Sequence, residues 1–168
     1  MVTQNGFIDI DGNKIIYRGT GYEKVLTSQP IPANLRSFIF KTKIVECSKD
    51  VEISLGFKFD DGFILWRSNS GNLDNEEKVI MSLEPYGKND DISCYLRRIS
   101  VKEKDYQYVN WVKHGKVIGS WMIEGDNVFP SFRCEALDDS LQAAELETSF
   151  DIKATSNTSG KFFMTQKS

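Results

Sequence analysis

The sequence predicts an all-β fold, a two-layer antiparallel β-sandwich, and three observations point there. Short apolar runs recur at turn-bounded intervals, several of them alternate with a period of two, and turn residues rather than helix caps separate them. The length fits, since 168 residues can bury roughly 70% of their extended surface in one core. A single domain over residues 1–168 is therefore expected, with its core over about residues 6–151 and residues 152–168 as a tail or edge strand.

Strand signals begin at once. Phe7, Ile8 and Ile10 lead into Asp11-Gly12-Asn13, and residues 14–17 come back out, which reads as a hairpin around a turn dipeptide. A short Val25-Leu26 run meets Gln29-Pro30-Ile31-Pro32, whose prolines remove backbone donors and hold an extended connection. From Phe38 the inward positions alternate through Phe40, Thr42 and Ile44, and Val51, Ile53, Leu55 and Phe57 repeat the pattern. Gly56 marks a bulge or a close backbone approach within that second strand. After a run at residues 63–66, the polar stretch 67–78 has no apolar period and reads as the main surface loop.

Runs at residues 79–83, 92–96, 106–112, 117–123, 129–134 and 145–150 complete the series. At most one short helix is expected, over residues 137–146. Residues 154–160, rich in Ser and Thr, read as a loose tail, after which Phe162-Phe163-Met164 could add a last edge strand.

Charge and cysteine usage narrow the function classes. The formal charge of −3 comes from 24 acidic and 21 basic residues spread along the chain, so nucleic acid would meet no dominant basic field. Arg97, Arg98, Lys102 and Lys104 form the densest basic cluster, interrupted by Glu103 and Asp105, and read as a solvated hairpin. No run of residues is long and apolar enough for a membrane span. Cys47, Cys94 and Cys134 lack the pairing of zinc or redox motifs and read as small buried hydrophobes. The odd thiol count, and an N-terminal segment without the basic start and apolar run of a leader, favour a reducing compartment, cytoplasmic or nuclear.

Catalytic and metal chemistry find little support. His114 is the only histidine, and it falls at the tip of a tight turn with Gly115, where a base would lack an orienting partner and a sheltered pocket. Asp9-Ile10-Asp11-Gly12-Asn13 resembles the front of a calcium loop, but Lys14 stands where that loop needs glycine and Thr20 where it needs a bidentate Glu. The adjacent pairs Asp60-Asp61, Asp90-Asp91 and Asp138-Asp139 would point to opposite faces of a strand and read as turn acids. No enzyme, cofactor or metal site is expected.

Several segments in this order resemble the SPRY domain. Gln29-Pro30-Ile31-Pro32, the aromatic strand from Phe38 to Ile44, Ile53-Ser54-Leu55-Gly56-Phe57 and Asn89-Asp90-Asp91-Ile92-Ser93-Cys94 are similar to family signatures. So are the Lys113-His114-Gly115-Lys116 hairpin with Trp121 after it, Val128-Phe129-Pro130, and the closing strand Glu145 to Phe150. The resemblance implies a SPRY-like, concanavalin-like jelly-roll sandwich that binds a short extended segment or loop of another protein and catalyses nothing. The domain is expected to be monomeric.

Specificity in such a fold lies in loops, so large aromatic and Arg side chains beside loops are the candidate anchors. Those residues are Arg18, Tyr22, Trp66, Arg67 and Tyr86, whereas Phe40, Phe57, Trp111 and Phe150 fall on inward positions and read as core. The alternative from another class is a carbohydrate-binding, lectin-like sandwich.

Overall fold

The computed structural model describes residues 8–27, 29–76, 78–152 and 164–167. Fourteen strands cover most of these, in chain order β1 (Ile8–Asp11), β2 (Lys14–Gly19), β3 (Tyr22–Thr27), β4 (Ser37–Cys47), β5 (Val51–Phe59), β6 (Gly62–Arg67) and β7 (Asn72–Asn75). Then come β8 (Lys78–Ser82), β9 (Asp91–Val101), β10 (Lys104–Lys113), β11 (Lys116–Ile123), β12 (Phe129–Ala136), β13 (Gln142–Ile152) and β14 (Met164–Lys167). They form two seven-stranded sheets, ordered β1-β2-β13-β4-β9-β10-β11 and β14-β3-β12-β5-β6-β7-β8, with every pairing antiparallel.

The alternation read from the sequence is what lets the two layers stack. Phe40 of β4 meets Phe57 of β5 at 5.4 Å and Phe132 of β12 at 5.1 Å between ring centroids, so these three rings join the sheets. Trp66, Trp111 and Tyr17 are fully buried beside them, each contributing on the order of 1.5–3 kcal/mol by leaving water. Inward polar side chains can pair with each other, as where Thr42 and Thr148 share a buried 3.0 Å hydrogen bond between β4 and β13.

Turn chemistry closes the hairpins. His114 and Gly115 both have positive φ (49° and 80°), the geometry of a two-residue turn whose twist matches its strands. Lys102 and Glu103 do the same (51° and 67°) at the end of the β9–β10 arm. Gly56 is a close approach rather than a bulge, because a Cβ there would stand 2.0 Å from the Ile64 carbonyl oxygen while β5 and β6 keep regular register.

Three expectations need correction. Residues 67–78 are not a surface loop: β7 pairs with both β6 and β8, and Leu73 is fully buried. The apolar period is absent because polar side chains fill buried positions there, with Ser68 accepting from the Ile53 N–H at 2.8 Å and Asp74 accepting from Arg67. Residues 137–146 form no helix. Asp138 instead accepts from the Ser140 N–H at 2.8 Å in a turn, and β13 starts at Gln142 opposite Gly19. Within the basic hairpin Arg97, Lys102 and Lys104 are exposed, but Arg98 is half-buried and tied to backbone carbonyls. Phe7, residues 154–160 and Phe162-Phe163 lie outside the described residues; β14 itself pairs with β3.

Candidate functional site

A loop-bounded cleft of about 720 Å³ lies where three segments meet: residues 30–33 with Arg36, the β9–β10 arm at Arg98 and residues 105–107, and the β11–β12 connection at residues 123–127. Prolines 30 and 32 keep the first segment extended, and the Ile31 N–H donates to the Val128 carbonyl at 2.7 Å, fixing it to the third. Arg98 holds the second against the first. Its guanidinium donates to the carbonyls of Pro32 (2.6 Å) and Leu35 (3.2 Å) and to the Gln107 side chain (3.0 Å). Gln107 in turn donates to the Gly125 carbonyl at 2.8 Å, so all three walls hang on one hydrogen-bonded chain. Burial draws the Arg98 pKa down from its usual value, but a guanidinium remains charged at neutral pH.

The cleft's exposed rim carries Asp105, Glu124 and Asp126 against the one cation Arg36. Such a rim attracts basic side chains. Pro30 and Pro32 were readable from the sequence only as a connection, and Arg98 only as a solvated charge. Nothing in the local pattern marks a cleft whose first wall stands 66 residues before Arg98 at Pro32, a separation that only long-range strand pairing brings to contact distance.

None of the five candidate anchors lines this cleft. Trp66 is fully buried and Tyr86 is 5% exposed, so both are core residues with no surface to offer a partner. They were misread because both border segments without an apolar period that read as loops, although both side chains turn inward. Arg18 is exposed on β2, in a shallow depression with Glu46 and Glu145. Tyr22 and Arg67 share the outer face of the second sheet, where Arg133 lies with its guanidinium 5.8 Å from the Tyr22 ring centroid and 4.1 Å from that of Phe63. Arg67 is paired there with Asp74 and, at 3.7 Å, with Glu52. Burial raises the Glu52 carboxyl above its usual range despite that arginine and a 2.7 Å bond from the Asn69 N–H.

At the far turn, His114 is half-exposed and its Nε2 lies 2.7 Å from Asp90 Oδ1. Asp90 also accepts from the Gly87 N–H at 2.8 Å, and Lys113 donates to the Pro85 carbonyl at 2.9 Å. These bonds tie the connection after β8 to the β10–β11 hairpin and leave the imidazole facing solvent. Burial pushes the Cys47 thiol up to about 11 and that of Cys134 to about 12, and Cys94 well above its usual value, which disfavours the thiolate. Among the described residues no cluster of His, Cys, Asp or Glu could hold a metal ion.

No family model matches the chain, and no curated protein matches it in sequence. Solved structures do match in fold. A human SPRY domain superposes over 88% of this chain and 96% of its own, at 18% identity and a TM-score of 0.61. The carbohydrate-binding module CBM66 from Bacillus subtilis covers 88% of this chain and 92% of its own, at 10% identity and a TM-score of 0.54. The chain shares its fold with SPRY domains.

Proposed function

We propose that this chain is a non-catalytic interaction domain that grips an extended segment of a partner protein in the cleft between residues 30–36, the β9–β10 arm and the β11–β12 connection. The observation that carries this reading is the Arg98 chain of hydrogen bonds, which builds the cleft before any ligand arrives and so lowers the ordering cost of binding. The acidic rim selects a segment bearing Lys or Arg. Thiols that burial keeps protonated and a solvent-facing His114 support a binding role over a catalytic one, and free cysteines suit a reducing compartment.

The test is a peptide array probed with the wild-type chain and with an E124K/D126K double variant. Capture of Lys/Arg-bearing peptides by the wild type, weakened at least tenfold in the variant, is the expected result. Equal capture by both proteins would move the site elsewhere. The likeness to CBM66 favours a second reading, a carbohydrate-binding module. Tyr106 is the single aromatic ring on the cleft wall, a poor stacking platform for sugars, and binding on a glycan array with none on the peptide array would select this second reading.

A further inference from the structure

We infer that the outer face of the second sheet holds a separate binding site, in which Arg133 receives the side-chain carboxylate of an acidic residue from a partner protein. Strand alternation sets the orientation: Phe132 and Cys134 of β12 are in the core, so Ser131 and Arg133 project outward. The Arg133 guanidinium is held over the Phe63 ring at 4.1 Å with Tyr22 on its other flank at 5.8 Å, a stacked arrangement that fixes the plane of its donors.

What the site lacks is an acceptor. Arg133 Nε is buried without a hydrogen-bond partner, and among the described residues no carboxylate lies within ion-pair distance of it, whereas Arg67 on the same face has Asp74 and Glu52. Ser131, two residues along the same strand face, is fully buried and its Oγ also has no partner. Buried polar groups in folded proteins are satisfied with few exceptions, and although Trp111 Nε1 and Asp74 Oδ1 are two others here, the half-buried Arg133 guanidinium, stacked but unpaired, is the one a group from outside can reach. A carboxylate fits. It presents two coplanar oxygens to the planar guanidinium and brings a single negative charge, whereas a face that already holds Glu52, Asp74 and Glu135 repels a doubly charged phosphate more strongly. The Tyr22 ring, 45% exposed, offers apolar surface to the methylenes of an Asp or Glu side chain.

The experiment is a titration of the full chain with capped hexaglutamate, followed by the Arg133 Nε–H resonance in an arginine-selective nitrogen-15 spectrum. A saturable shift is expected, with capped hexaglutamine inert and E124K/D126K responding as the wild type does. Arg133→Met should bind hexaglutamate at least tenfold more weakly. Should that variant not fold, Arg133→Lys, which keeps the charge and loses the Nε edge, takes its place with the same expected loss. A silent Arg133 Nε–H, undiminished affinity in a folded Arg133 variant, or a response to glucuronate with none to hexaglutamate would each overturn the inference. The cleft reading survives any of these, because its peptides are basic and its variant lies elsewhere.

Discussion

Tyr86 packs edge-on against Trp66, with 4.5 Å between ring centroids, and its hydroxyl lies 2.7 Å from the Trp66 carbonyl and 3.1 Å from that of Ile53. Trp66 Nε1 donates to the Glu84 carbonyl at 2.9 Å, so the pair binds the connection after β8 to β5 and β6. Trp66→Ala should cost about 3–5 kcal/mol by opening a cavity, and Tyr86→Phe about 0.5–1.5 kcal/mol for the net loss of its hydroxyl's hydrogen bonds, since the Ile53 carbonyl still accepts from the Ser68 N–H. Urea denaturation measures both. Wild-type stability in Tyr86→Phe would mean that the hydroxyl contributes no structural bond.

Asp90 gives the fold a pH dependence. Burial pushes its carboxyl up, but the bonds from His114 and the Gly87 N–H, with Lys113 nearby, outweigh burial and hold it below the usual carboxylate value. A pKa lowered by folding contributes stability that is present above the unfolded value and fades as pH falls through the folded one. Asp90→Asn should therefore be less stable than the wild type at pH 7, with the gap closing below about pH 4, near the unfolded carboxylate pKa. Thermal melts from pH 7 to pH 2 check this. A gap constant across that range would show that Asp90 ionisation is not coupled to folding.

Gly56 has no room for a side chain. A Cβ there would meet the Ile64 carbonyl oxygen at 2.0 Å and the Leu65 Cα at 3.0 Å, both backbone atoms that cannot swing aside. Gly56→Ala must push β5 from β6 and should lose roughly 1–3 kcal/mol or more, as overpacking does. Gly12→Ala is the control, since nothing lies within 4 Å of its Cβ position and only its positive φ of 61° opposes the change. A Gly56→Ala melting point at or above that of the wild type would contradict the close approach.

How much of this was legible depended on whether burial was apolar. Phe40, Thr42 and Ile44 alternate with exposed Lys41 and Lys43 in β4 because water lies on one face and core on the other. Ile53, Leu55 and Phe57 keep the same period in β5 although Glu52 and Ser54 between them are buried too, and the sandwich followed from that period. In β7 the same burial is filled by Asp74, paired with Arg67, and a paired acid looks in sequence like a solvated one. Trp66 and Tyr86 failed as candidate anchors for the converse reason, because large aromatics serve interfaces and cores alike and only strand direction separates the two. The loop cleft was hidden most deeply: its parts come from three distant segments whose meeting is a property of sheet order.

Arg98 is the residue on which the cleft depends. Its side-chain bonds to the Pro32 and Leu35 carbonyls and to Gln107 add to the main-chain bonds from Arg98 to Arg36 and from Ile31 to Val128 that join these segments. Arg98→Met keeps the aliphatic stem and removes every donor, at about 1.5–3 kcal/mol for hydrogen bonds from a charged group. The loss should concentrate where those bonds end. The Ile31 and Leu35 amides, bonded to Val128 and Pro32, should exchange with deuterium faster, while the Leu55 and Phe132 amides at the centre of the second sheet keep their protection relative to global unfolding. Basic peptides should then bind more weakly, because the cleft must be ordered at the moment of binding. Unchanged exchange at Ile31 and Leu35 together with unchanged peptide affinity would remove Arg98 from its role as the organiser of this site.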